Sequence, residues 1–222
     1  MTEPSTLNIA EPPAKAGSDR LVVLAILTLA IVAAAGSWAA VMALKHHEKP
    51  TDVIPENQRQ LVEFSLTDRT GRNITRNDVA GKFLVVDFLF TSCSLTCPIV
   101  NRHMAQFQKL TADQRDVMLV SLTVDPRDDT VPVLAKYGER FGADTNRWLL
   151  LTGAKGSLYQ LISTSFLAQG DPDPFNYMPG NFVHTERIAL VDPSGHVRIY
   201  FDGLQDDVAE KISGEIARLR NK

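Results

Sequence analysis

The sequence has 222 residues, 44% of them hydrophobic and 22% charged, with a formal net charge of -3. That length suits one domain of ordinary size, and 23 Lys and Arg against 26 Asp and Glu give no nucleic-acid footprint. The 2 cysteines, Cys93 and Cys97, exclude a disulfide-rich scaffold and a four-cysteine zinc or iron–sulfur site built from this chain alone.

Residues 1–20 mix acids, bases and prolines and do not resemble an Arg-rich mitochondrial presequence; they read as a cytoplasmic tail. Residues 21–44, Leu21 to Leu44, contain no charged residue and are dominated by Leu, Ile, Val and Ala. As a helix they extend about 36 Å against a hydrocarbon core of roughly 30 Å. The expectation is one transmembrane anchor, uncleaved. A cleaved signal peptide is the alternative, with small-residue sites at Ala33 to Ala35 and Ala39 to Ala40. The stretch is apolar on every face, which does not suit a core helix. No cysteine lies near it, which argues against a lipid-anchored lipoprotein. The flanking charges give only a weak orientation signal. The expected location is the bacterial inner membrane, with the globular part on the periplasmic or outer face. Residues 45–60 are polar, include Pro50 and Pro55, and read as a linker to a domain over 61–222.

Phe64, Leu66 and the turn Asp68 to Arg72 predict a short hairpin. Phe83 to Phe90 is a nearly continuous apolar run of β-formers, as in a strand buried on both faces. After the Cys93 loop, Pro98 opens a helix to about Leu110. Val117 to Val124 predicts a buried strand ended by Asp125-Pro126. Val131 to Phe141 predicts a helix, Trp148 to Leu151 a strand, and Lys155 to Phe166 a helix. Gln169 to Asn181, rich in proline, reads as a long loop. Ile188 to Val191 and Val197 to Phe201 flank the turn Asp192 to Gly195, and a helix from about Asp206 to Leu219 closes the chain. Strands alternating with helices, then a hairpin and a helix, predict an α/β sandwich on a mixed sheet.

Cys93 then falls just beyond the C-terminal end of a central strand, where open α/β sheets place their sites, and Cys97 immediately before a helix. A disulfide between them closes a five-residue ring and constrains the unfolded chain little. The helix N-terminus favours thiolate over thiol. Two adjacent thiolates either exchange disulfides or hold a soft metal such as Cu(I). Among the histidines, His46 and His47 adjoin the apolar segment, and His196 follows the hairpin turn. His103 lies about 240° around the helix from Cys97 and points away from it. His184, at the end of the long loop and just before a strand, is the candidate third ligand.

Thr91-Ser92-Cys93-Ser94-Leu95-Thr96-Cys97-Pro98 resembles the C-x-x-x-C-P signature of the Sco/SenC copper-binding proteins. Asp125-Pro126-Arg127-Asp128-Asp129-Thr130 looks like that family's D-P-x-x-D-T segment, and His184-Thr185 stands where its copper-ligating histidine is expected. The resemblance covers about Val62 to Leu219. It implies a thioredoxin-like fold, a copper ion as Cu(I) or Cu(II) held by Cys93, Cys97 and His184, and Asp125 near the site. It also implies a role in assembling the dinuclear copper centre of cytochrome c oxidase, with oxidase subunit II and a copper donor protein as partners. Met178 in the loop reads as an anchor, with a weak thioether contact to copper as the alternative, and Phe182 and Val183 as residues that pack the loop down. The alternative is a thiol:disulfide oxidoreductase that reduces the cysteines of subunit II before metallation. A peroxiredoxin-like P-x-x-x-T-x-x-C loop is absent.

Overall fold

Among the described residues, eight strands form one sheet. The computed structural model describes residues 23–24, 26–33, 52–53, 59–166 and 186–221, and the chain divides into two units, Met1–Pro50 and Thr51–Lys222. In the first unit, residues 23–24 and 26–33 are helical and exposed. Among the described residues no helix is long and apolar enough to cross a membrane. The rest of the predicted span 21–44, the tail and the loop from Gln169 to Asn181 lie outside the described residues.

The second unit carries the sheet. Its strands are β1 (Asp52–Val53), β2 (Ser65–Asp68), β3 (Asn73–Thr75), β4 (Phe83–Leu89), β5 (Val117–Thr123), β6 (Trp148–Thr152), β7 (Arg187–Val191) and β8 (Val197–Asp202), in the sheet order β1-β8-β7-β4-β5-β6-β2-β3. Its helices are α1 (Arg76–Val79), α2 (Cys97–Leu110), α3 (Val131–Arg140), α4 (Lys155–Ser165) and α5 (Val208–Arg220). Strands β4, β5 and β6 run parallel, and every other pairing is antiparallel, so the sheet is mixed as expected.

The apolar run of β4 explains its place. All seven of its residues are buried, which suits a strand with helices on both faces and neighbours on both edges. Alternation sends Leu84, Val86 and Phe88 to one core with Leu158, Leu161 and Ile162 of α4. Phe83, Val85 and Leu89 go to the other, with Cys97, Val100, Met104 and Phe107 of α2, Leu134 and Tyr137 of α3, and Ile212 and Ile216 of α5. Helix α2 therefore lies on the sheet with its first turn at the C-terminal end of β4. Gly195, at φ 87, takes the left-handed position that closes the predicted β7–β8 turn.

The structure differs from expectation at the edge of the sheet. Within the stretch read as linker, Asp52 and Val53 pair with Tyr200 and Ile199 of β8 and Gln60 bridges His196; just beyond it, Leu61 N–H donates to the Gly195 carbonyl at 2.8 Å. The unpaired backbone of β8 recruits this passing chain.

One glycine joins the elements around the cysteine helix. Gly203, after β8, donates its N–H to the Glu186 carbonyl at 2.6 Å, and its own carbonyl lies 2.7 Å from His103 Nδ1 of α2. A Cβ there would meet the Glu186 carbonyl oxygen at 2.6 Å and Val100 Cγ2 at 3.1 Å. The Gly203→Ala substitution is expected to cost about 1–3 kcal/mol by overpacking, read as a lower urea midpoint at unchanged m-value.

Candidate metal centre

Strand β4 ends at Leu89, and the chain turns at once, with Cys93 N–H donating to the Phe90 carbonyl at 3.1 Å. Helix α2 opens at Cys97 with Pro98 in its first turn. Cys97 is thus the first helical residue and not the one before it. Its N–H has no partner within the helix and points instead at Cys93 Sγ, 3.4 Å away. Thr96 Oγ1 lies 3.8 Å from the same sulfur. Both thiols are free; Cys93 is half-buried and Cys97 fully buried.

The two sulfurs differ electrostatically. Partial burial of Cys93 works against its thiolate. The Cys97 and Leu95 N–H groups, the Cys97 thiol and the Thr96 hydroxyl outweigh that and hold the Cys93 thiol below its ordinary value. Burial pushes the Cys97 thiol up to about 12. The Phe90 backbone opposes this, while Cys93 and Asp87 reinforce it.

Asp87 lies on the cysteine side of β4 and is fully buried. Its Oδ1 accepts from Ser121 Oγ at 2.5 Å, and its Oδ2 from Asn101 Nδ2 at 3.3 Å. Asn101 also donates to the Cys97 carbonyl at 3.0 Å, and Trp148 Nε1 donates to Ser121 Oγ at 2.8 Å. Burial raises the Asp87 carboxyl to about 7, against the Ser121 and Asn101 bonds. Asn101 Oδ1 and Tyr137 Oη are buried with no hydrogen-bond partner among the described residues. Burial raises the Tyr137 hydroxyl, and charge on Cys97, Asp87 and Cys93 adds to the effect.

Asp125 sits in the turn after β5. Its N–H donates to Thr123 Oγ1 at 2.9 Å, and its carbonyl accepts from Asp128 and Asp129 N–H at 3.2 and 2.9 Å. The bonds it makes are those of a turn. Asp129, four residues on, is the buried acid of the segment. Its Oδ1 accepts from Thr91 N–H at 3.1 Å and Thr91 Oγ1 at 2.5 Å, and its Oδ2 from Thr123 Oγ1 at 2.5 Å. Neither Asp87 nor Asp129 was singled out from the sequence. A charged residue inside the apolar run of β4 is the signal that finds Asp87.

His184 and Met178 lie outside the described residues, as do His46, His47, Phe182 and Val183. The described chain resumes at Glu186, two residues after His184. Strand β7 pairs antiparallel with β4, Val86 opposite Ala189 and Leu84 opposite Val191. The start of β7 therefore lies at the end of the sheet where β4 delivers Cys93. His103 is buried and bonded to Gly203, and His196 Nδ1 lies 2.7 Å from Ser194 Oγ. Among the described residues no group of three or more His, Cys, Asp or Glu side chains is placed to hold a metal.

A mixed sheet with helices on both faces and a cysteine pair straddling a strand-to-helix loop defines a thioredoxin-like domain. Solved structures share that architecture. A SCO1/SenC family lipoprotein from Bacillus anthracis is similar at TM-score 0.63 and 29% identity, over 76% of this chain and 99% of that one. BsSco, a member of the Sco family of cytochrome c oxidase assembly proteins, has the same fold at TM-score 0.58 and 24% identity, over 72% and 95%. So does copper-bound ScoI of Arabidopsis thaliana, at 0.56 and 22%, over 72% and 98%. The sequence model of the SCO1/SenC family matches residues 53–220, and the chain belongs to that family.

The buried Asp87 carries a pH signature. Its carboxyl binds a proton more tightly folded than unfolded, so its contribution to stability is complete below about pH 4 and is lost as pH rises through about 7. Asp87→Asn, neutral throughout, is expected to flatten the fall in urea midpoint between pH 5 and pH 8. An unchanged slope would assign that fall to other groups.

Proposed function

We propose that this protein is a membrane-anchored copper chaperone that binds one copper ion through the Cys93 and Cys97 thiolates and the His184 imidazole. Copper is its cargo. The observation that supports this most is the register of β4 with β7, which starts β7 at Arg187, three residues after His184, at the end of the sheet where the Cys93 loop begins. Glu186, two residues after His184, accepts from Gly203 N–H, and the Gly203 carbonyl lies 2.7 Å from His103 Nδ1 of the cysteine helix.

The donor chemistry agrees. Two sulfurs and an imidazole suit copper better than magnesium, calcium or manganese. Among the described residues no Lys or Arg is bonded to Cys93, Cys97, Asp87 or Asp129, and Asp87 adds to the burial that disfavours the Cys97 thiolate. A bound copper ion supplies the missing charge. Membership of a family that includes cytochrome c oxidase assembly proteins, and a fold shared with copper-bound ScoI, support delivery to the dinuclear copper centre of the oxidase. Subunit II and a copper donor protein are the partners this implies. The apolar segment 21–44 would tether the unit Thr51–Lys222 to the outer face of the bacterial inner membrane, with residues 1–20 in the cytoplasm and Asp125 beside the site.

One observation favours a second activity at the same pair. The accessible Cys93 is held below its ordinary value while the buried Cys97 is pushed up. That is the asymmetry of an attacking and a resolving thiol, as a reductase of the oxidase subunit's cysteines requires.

Anaerobic titration of the reduced protein is expected to give one copper per chain. Cys93→Ala, Cys97→Ala and His184→Ala are each expected to weaken binding by more than about 100-fold, beyond the roughly 10–100-fold that follows loss of a group that only orients a ligand. Full copper affinity in His184→Ala, together with rapid reduction of an oxidase-subunit disulfide, would replace the chaperone reading with the reductase.

A further inference from the structure

Asp129 touches neither thiol, yet all its side-chain bonds serve the loop that carries Cys93 and the strand beside it. Both oxygens are used: Thr91 donates its N–H and its hydroxyl, and Thr123 donates its hydroxyl. Thr123 Oγ1, having donated to Asp129, accepts from Asp125 N–H, and the Asp125 carbonyl accepts from Asp129 N–H. The bonds form a closed ring that fixes the carboxyl to the end of β5.

A helix cap does not explain this arrangement. Thr130 is the N-cap of α3 and makes no side-chain cap bond. Asp129 stands one residue before it and directs its carboxyl away, to β5 and the cysteine loop. Nor is the burial of this carboxyl low in cost. Burial raises it, Asp125 adds to the effect, and only the three neutral donors work against them.

Thr91 is where the ring acts. The bond from Cys93 N–H to the Phe90 carbonyl makes residues 90–93 a turn with Thr91 at its first central position. Holding that residue by both N–H and hydroxyl fixes the direction in which the turn leaves. The turn sets Cys93 Sγ 3.4 Å from Cys97 N–H.

We propose that Asp129 is the positioning residue of the metal centre, holding the Cys93 loop in its ligating geometry through Thr91. This rests on the reading of Cys93 and Cys97 as copper ligands, and two readouts keep the ideas separate. In the full-length, reduced, copper-free protein, Cys93 alkylation by iodoacetamide at pH 7 is followed by peptide mass. Copper affinity and the Cu(II)–thiolate absorption band are measured on the same samples.

Thr91→Val, which removes the hydroxyl at equal size, and Asp129→Asn are each expected to slow alkylation and weaken copper binding by about tenfold. Both are expected to shift the absorption band. Thr91→Ser, which keeps the hydroxyl, is expected to restore all three. Unchanged alkylation, affinity and absorption with only a lowered unfolding midpoint would make Asp129 a structural strut and overturn the proposal. If the wild-type protein bound no copper, the chaperone reading would fail and alkylation would still decide the positioning role. If Asp129→Asn did not fold, the Thr91→Val and Thr91→Ser pair would decide it.

Discussion

The N–H of Cys97 donates to the sulfur of Cys93, and the surrounding structure is arranged to make that contact. The donor is free because Cys97 opens a helix. The helix starts there because β4 ends at Leu89 and Pro98 suits a first turn. Helix α2 holds its angle because Val100, Met104 and Phe107 are buried against β4 and α5. The partner sulfur stays in place because the turn before it is held to β5. A slip of one residue in any of these elements would separate the sulfur from its donor.

Much of this was legible in the chain, and the part that was not has a common physical reason. The apolar run from Phe83 reads as a two-sided buried strand because nothing in it needs water except Asp87. The cysteine loop is legible from spacing and from Pro98. The D-P-x-x-D-T resemblance pointed at the right turn, but it drew attention to Asp125, whose observed bonds are those of its backbone. Asp129 faces the interior because the Asp125 carbonyl takes its N–H and turns the chain inward. Direction within a turn follows from tertiary hydrogen bonds, which linear order does not carry. The two-residue strand Asp52–Val53 is too short for any periodicity, and only the open edge of β8 recruits it.

Asp87 and Asp129 have parallel positions with respect to the pair. Asp129 reaches Thr91, two residues before Cys93. Asp87 reaches Asn101, which bonds the carbonyl of Cys97. Each end of the C-x-x-x-C loop is therefore tied to the parallel strands β4 and β5 by a buried acid and a neutral donor. Ties of this kind hold geometry without adding positive charge. An Arg or Lys in either place would hold the loop as well and would also stabilise the thiolates.

That choice of neutral donors bears on what the site is built to receive. A thiolate pair activated only for exchange gains from a nearby cation, which lowers the thiol values and speeds attack. Here the buried Cys97 is pushed up to about 12, with Asp87 among the causes. The negative charge of a fully ionised pair is then costly for as long as the site is empty. If copper binds as proposed, a soft cation held by both sulfurs would remove that cost, and Asp87 would then add attraction where it had added repulsion. The carboxyl that disfavours the free dithiolate would thus favour the proposed metal complex. Exchange chemistry at Cys93 would instead depend on the few neutral donors around its sulfur.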